Sequence, residues 1–158
     1  MKKDEIFLKR IKAEIISELE HVSILMDEYH DFLKKYSAHI DPYLLRAKAS
    51  FIADFYMGVE KIFRLIAEEL NGGVPKGDGW HKKLLHSMTL EIKRVRPAII
   101  SEELYRDLLK FLGFRHVVRQ AYGFQLDKGK LGELEKIFKK TWEKFSREIK
   151  SFCGFLEG

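Results

Sequence analysis

From Leu8 to Tyr36, apolar side chains recur at steps of three or four residues: Leu8, Ile11, Ile15, Leu19, Val22, Met26, Tyr29, Leu33 and Tyr36. That spacing sets them in one stripe along an α-helix, and a helix of that length reaches about 50 Å at 1.5 Å per residue. A stripe this long is stable in water only when other helices cover it, which directs the rest of the chain toward a bundle.

The remaining sequence is punctuated accordingly. Asp41-Pro42 supplies an N-cap followed by proline at the first helical position, so the first helix is expected to end at Ser37-Ala38-His39 and a second to open at Asp41. The second carries Leu44, Ala47, Phe51, Phe55, Ile62 and Ile66 on its apolar side and stops at Asn71-Gly72-Gly73. Val74 to Gly79 reads as a loop. A shorter helix is expected from about Trp80 to Val95, halted before Pro97. Ser101, with Glu102 and Glu103 behind it, reads as the N-cap of a fourth helix running through Leu104, Leu108 and Leu112 to Gln120, before Gly123. The last begins near Asp127 and carries Leu131, Leu134, Phe138, Trp142, Phe145, Ile149 and Phe152. No alternating apolar and polar run is bounded by hairpin turns, and no segment repeats. The expected fold is all-α: an up-and-down bundle of four main helices plus one short helix, forming a single domain over residues 1–158.

Composition narrows the class further. A chain of 158 residues buries roughly 68–70% of its unfolded surface, so neither a disulfide nor a metal is needed to hold it. Lys and Arg total 29 against 24 Asp and Glu, a net +5 that permits a phosphate-bearing partner without demanding one. With 46% hydrophobic and 34% charged residues the chain is neither disordered nor membrane-embedded. Its uncharged stretches fall far short of the roughly 20 residues a bilayer needs. The start Met1-Lys2-Lys3-Asp4-Glu5-Ile6 lacks an apolar signal core and Cys153 is the one cysteine, so a reduced, cytoplasmic protein is expected. One asparagine and two glutamines beside abundant Lys and Glu is a bias of proteins from hot environments.

Most familiar chemical motifs are missing. Gly72 to Gly77 has glycines and a lysine but neither the spacing nor the preceding strand of a phosphate loop. Glu18-x-x-His21 and Asp27-x-x-His30 sit on one helix, whereas a di-iron bundle takes such pairs from two, so solvated positions and no metal are expected there. Cys153 has no basic partner nearby and reads as a small apolar filler. The informative stretch is Phe111 to Phe124. On a continuous helix Arg115, Arg119 and Tyr122 fall at i, i+4 and i+7 on one face, with His116 and Gln120 in the adjacent row. Guanidinium forks grip phosphate oxygens and an imidazole moves protons near neutral pH, so this face suits a phosphodiester or a nucleotide. Alternatively the arginines pair with acids of a neighbouring helix, Asp54 or Glu60, and Tyr122 only caps the bundle.

Arg-x4-His-x-Tyr late in a small helical domain is the signature of the HEPN ribonuclease toxins of the HepT type, and Arg115 with Tyr122 matches it. The resemblance extends to Ala49–Phe63, Trp80-His81-Lys82-Lys83-Leu84-Leu85 and Arg96-Pro97-x-Ile99-Ile100-Ser101, and so spans roughly residues 40–125. The first and last helices are similar to the family in character only. The resemblance implies a two-fold homodimer whose motifs line one cleft and cleave RNA without a metal or other cofactor. It further implies that Arg115 binds the scissile phosphate while the motif histidine assists attack by the ribose 2′-hydroxyl. It implies a toxin–antitoxin partner as well, a minimal nucleotidyltransferase that transfers AMP to the motif tyrosine, here Tyr122.

The chain departs from the motif at one place: Gln120 occupies the histidine position. A glutamine amide hydrogen-bonds phosphate or base but carries no proton near pH 7, and losing a general acid or base costs about 10²–10⁴ in rate. His116 lies one turn earlier on nearly the same face and is the candidate to substitute for that histidine, although displaced by about 6 Å along the axis. Two expectations follow, a ribonuclease that is active or catalytically weakened, and a helical module that binds a nucleotide or a partner without catalysis.

Overall fold

The structure, a computed structural model, describes residues 2–36 and 41–158. It contains five α-helices: α1 (Lys2–Tyr36), α2 (Pro42–Leu70), α3 (Trp80–Ser87), α4 (Glu102–Gln120) and α5 (Lys128–Leu156), with a 3-10 turn at Gly123–Gln125 between the last two. Among the described residues there is no strand, only an isolated bridge between Ile92 and Arg96. The fold is the all-α bundle expected. The proposed end of the first helix at Ser37-Ala38-His39 lies outside the described residues.

The caps fall where the side-chain chemistry places them. Asp41 accepts the Tyr43 N–H at 2.8 Å with Pro42 behind it, Ser101 Oγ accepts the Leu104 N–H at 3.1 Å, and Asp127 accepts from Gly129 and Lys130. Each satisfies a donor that a helix start leaves orphaned.

Side-chain pairs fix the topology. Arg10 meets Glu69 and Phe32 meets Phe51, so α1 and α2 run antiparallel. Glu60 meets Arg115, and Arg46 lies against Gly123, so α2 and α4 do the same. Lys144 reaches Glu103 and Asp107 from α5 to α4, and Tyr29 bonds Glu135 at 3.1 Å while Lys12 pairs with Glu157, which closes α5 back on α1. The four long helices therefore form a closed up-and-down ring, with α3 laid across α2 and α4.

The centre is aromatic. Phe55 stands edge-on to Phe111 and Phe138, at 5.2 and 5.1 Å between ring centroids, and Phe145 lies between Phe55 and Phe63. Edge-to-face pairs of this kind add to the apolar burial itself. The stripe of α1 is buried from Ile11 to Val22 and again at Tyr29, while Tyr36 stays exposed. Cys153 is buried in the apolar core, as expected of a filler.

One element differs from expectation. The third helix stops at Ser87 instead of Val95, because the following turns have a different task. At that end the Ser87 and Thr89 hydroxyls donate back to the carbonyls of Leu84 and His86. Arg96, 3% exposed, then donates to the carbonyls of Ser87, Leu90 and Pro97 and, through Nε, to Asn71 Oδ1 at 2.8 Å. The Ile99 and Ile100 amides return to the Met88 carbonyl. A continuing helix could not bring Ile99 and Ile100 into the core, where they are buried.

Candidate functional site

Ser101 sets the register of α4. Its N–H and hydroxyl both donate to the Glu148 carboxylate of α5, at 2.5 and 3.0 Å. From that start Leu104, Leu108, Phe111 and Phe114 turn into the core. Arg115 follows at the edge of the buried stripe and points across to α2. Its Nη1 donates to Glu60 Oε1 at 3.4 Å, and the rest of its fork makes no hydrogen bond among the described residues. Arg115 is 15% exposed and Glu60 only 7%.

The other oxygen of the same carboxylate is taken by a residue that the motif did not indicate. His81, in the first turn of α3, places Nδ1 2.7 Å from Glu60 Oε2. A carboxylate offers only acceptors, so Nδ1 carries the hydrogen toward Glu60, and Nε2 makes no hydrogen bond among the described residues; the His81 side chain is 34% exposed. The Trp80 ring stacks on the imidazole at 3.7 Å between centroids, and the Arg64 guanidinium lies 5.5 Å from the Trp80 ring. The chain enters α3 through Gly79 at φ 73, a left-handed conformation that glycine adopts without strain.

Tyr56, one turn before Glu60 on α2, is fully buried, and its hydroxyl has no hydrogen-bond partner. Burial pushes that hydroxyl's pKa up, the Glu60 charge pushes it further, and Arg115 opposes. Asp54 makes no ion pair with Arg115, but the guanidinium is close enough to pull its pKa down. Desolvation wins, and the carboxyl sits above the usual carboxylate range.

The other expected residues spread out. His116, Arg119 and Gln120 are exposed on the last turns of α4, with no hydrogen bond among the described residues. Tyr122 does not extend the face of Arg115 and Arg119, because α4 ends at Gln120 and Ala121 is already extended at φ −99, ψ 149. The Tyr122 ring, 72% exposed, lies parallel to that of Phe124 at 5.5 Å. Its N–H donates to Gln125 Oε1 at 2.9 Å, which folds the short turn on itself, and Arg46 of α2 packs on Gly123 within it. Of the two alternatives for Arg115, the pairing with Glu60 is present, while Arg119 makes no ion pair and the remaining N–H groups of the Arg115 fork make no hydrogen bond among the described residues.

The groove between α4 and α5, about 690 Å³ and lined by Phe114, Val117 and Ile137, lies apart from this cluster. Glu18 and His21 contact each other along α1 at 3.5 Å in solvent. No three His, Cys, Asp or Glu among the described residues converge to hold a metal ion, and no helix among them is long and apolar enough to cross a membrane.

The sequence missed His81 as a site residue because its partnership with Glu60 spans the Val74–Gly79 loop. One signal was present: Glu60 stands among Tyr56, Val59, Ile62 and Phe63 on an apolar face, and a charge there requires a partner.

Compared with known proteins, residues 47–156 match the family model described as "HepT-like protein". No curated protein and no solved structure matches.

Proposed function

Because the chain belongs to the HepT-like family, we propose that it is an RNA-directed HEPN protein in which Arg115 binds a backbone phosphate and RNA is cleaved slowly without a metal. The observation that carries this is the Arg115 fork: one N–H is anchored on a buried carboxylate and the others are free to grip phosphate oxygens. Arg119, exposed one turn on, supplies a second positive charge for a neighbouring phosphate. RNA brings its own nucleophile in the 2′-hydroxyl, so the protein has to orient it, move a proton and stabilise charge on phosphorus.

In this proposal the working unit is a homodimer, the motif face of each protomer lining a shared cleft. Its partner is a minimal nucleotidyltransferase that acts as antitoxin by transferring AMP to the Tyr122 phenol. The exposure of Tyr122 beyond the end of α4 supports that last step.

The test is cleavage of single-stranded RNA by the purified protein in a chelator. Slow cleavage that disappears in Arg115→Ala and rises in Gln120→His is the expected result. Cleavage unaffected by Arg115→Ala would remove the proposal.

Gln120 favours a second reading, a module that binds a nucleotide or presents Tyr122 to its partner without catalysis. Calorimetry then shows nucleotide binding that weakens without Arg115 or Arg119, and no RNA is cut.

A further inference from the structure

We propose that the proton-transferring group of this site is His81, held by Glu60, so that the imidazole missing from position 120 on α4 is supplied from α3. The inference rests on the reading of Arg115 as a phosphate-binding residue and adds the group that deprotonates the 2′-hydroxyl.

The argument starts from what Gln120 cannot do. A side-chain amide holds no exchangeable charge near pH 7, and the 2′-hydroxyl needs a base as it attacks phosphorus. Among the described histidines, His21 reaches only Glu18 in solvent at 3.5 Å, and His30 and His116 have no hydrogen-bond partner. His86 makes only a ring-edge contact with Tyr105. His81 alone is joined to Arg115, through the two oxygens of one carboxylate. Imidazole and guanidinium therefore flank a single carboxylate, which puts a proton acceptor and a phosphate-binding fork in one site.

The imidazole is also held as a base should be. Glu60 accepts from Nδ1 at 2.7 Å, which fixes the tautomer and leaves the Nε2 lone pair for a substrate proton. The Trp80 ring, with Arg64 near it, restrains the imidazole plane. Two restraints from two directions fix where Nε2 points before a substrate arrives, and positioning of this kind carries much of the rate in acid–base catalysis. Nor is the cluster a closed, satisfied ion network, since the Tyr56 hydroxyl in the field of Glu60 and Arg115 has no partner.

The step balances as a transesterification. The 2′-oxygen forms a bond to phosphorus while its proton passes to Nε2 of His81, and Arg115 takes the charge that grows on the non-bridging oxygens. The bond from phosphorus to the 5′-oxygen breaks, and the departing oxygen takes a proton from water. The imidazolium then releases its proton to neutralise the hydroxide. The products are a 2′,3′-cyclic phosphate and a 5′-hydroxyl end.

The test uses the full chain and a fluorescein-labelled single-stranded oligoribonucleotide, with cleavage and anisotropy read on the same samples. His81→Ala is expected to lower the cleavage rate by about 10²–10⁴-fold with RNA affinity unchanged within a few-fold. Free imidazole then restores part of the rate in His81→Ala and none in Arg115→Ala. His81→Asn keeps an N–H for Glu60 and guards against a folding defect; its melting temperature stays near that of the parent and its cleavage is still lost. Cleavage that needs Arg115 and is indifferent to both His81 variants overturns this inference and leaves the proposed function standing. The inference also fails if His81→Asn cleaves like the parent or if imidazole rescues nothing. A parent protein that cuts no RNA overturns both.

Discussion

Glu60 Oε1 and Arg115 Nη1 meet at 3.4 Å across α2 and α4, with the carboxylate almost wholly buried and the guanidinium nearly so. An acid in that position is stable only while its partners remain. Arg115→Ala is therefore expected to cost about 1–3 kcal/mol of folding stability. Glu60→Gln in the same chain recovers part of that loss, since the amide needs no countercharge. A double-mutant cycle from urea unfolding measures the coupling, and additive single-mutant effects would show that the two groups do not support each other.

Gly58 and Val22 set the approach of α1 to α2. A Cβ at Gly58 would fall 2.6 Å from Val22 Cγ2, and Val22 is itself buried. A short β-branched side chain in a packed interior has no free rotamer to retreat into. Gly58→Ala is expected to destabilise by about 1–3 kcal/mol, and Gly58→Ala combined with Val22→Ala by less than the sum. The urea midpoints of the three variants check this.

Asp54 gives a pH signature. Its folded-state pKa is raised by desolvation, against the pull of Arg115, so the protonated form favours the folded chain. That contribution is complete below the ordinary aspartate range and is lost as pH rises through the raised value. Asp54→Asn, which never ionises, is expected to melt higher than the parent at pH 7 and together with it at about pH 3. Thermal melts across that range decide; an advantage that grows as pH falls would contradict the assignment.

Arg96 closes the connection between α3 and α4 with donors to three carbonyls and one amide oxygen. Removing it leaves those acceptors short of partners inside the protein. Arg96→Ala is expected to cost about 3 kcal/mol, and Arg96→Lys to recover little, because one ammonium cannot reach the positions that a planar fork spans. Hydrogen exchange at the Ile99 and Ile100 amides, both bonded to the Met88 carbonyl, reports the local effect.

The first helix was legible from its sustained period alone, and the other three long helices because each pairs such a period with a strong N-cap. Asp41, Ser101 and Asp127 each take the backbone N–H groups their residue type implies. The end of the third helix was not legible, since nothing local stops a helix at Ser87. What stops it is the demand of Ile99 and Ile100 for burial and of Arg96 for carbonyls, both set by contacts beyond the segment. Arg115 was legible from its motif and Glu60 as one of two possible acids. Tyr122 was misplaced because helical spacing was carried past Gln120, where Ala121 turns the chain to an extended conformation. His81 was hidden for a different reason. Its partner is 21 residues away across a loop whose path depends on left-handed glycines, and local periodicity carries no information about such a crossing.

The guanidinium of Arg96 has a mechanical consequence. It ties the end of α2 at Asn71 to the last carbonyl of α3 at Ser87 and to the strap before α4 at Leu90 and Pro97, and so works as a rivet through two helix ends and the connection that follows them. The helices bearing Glu60 and His81 are thereby fastened to each other and to the strap that leads into the helix bearing Arg115. A cluster fastened in this way keeps its shape without a ligand, so whatever fits it has to do the bending.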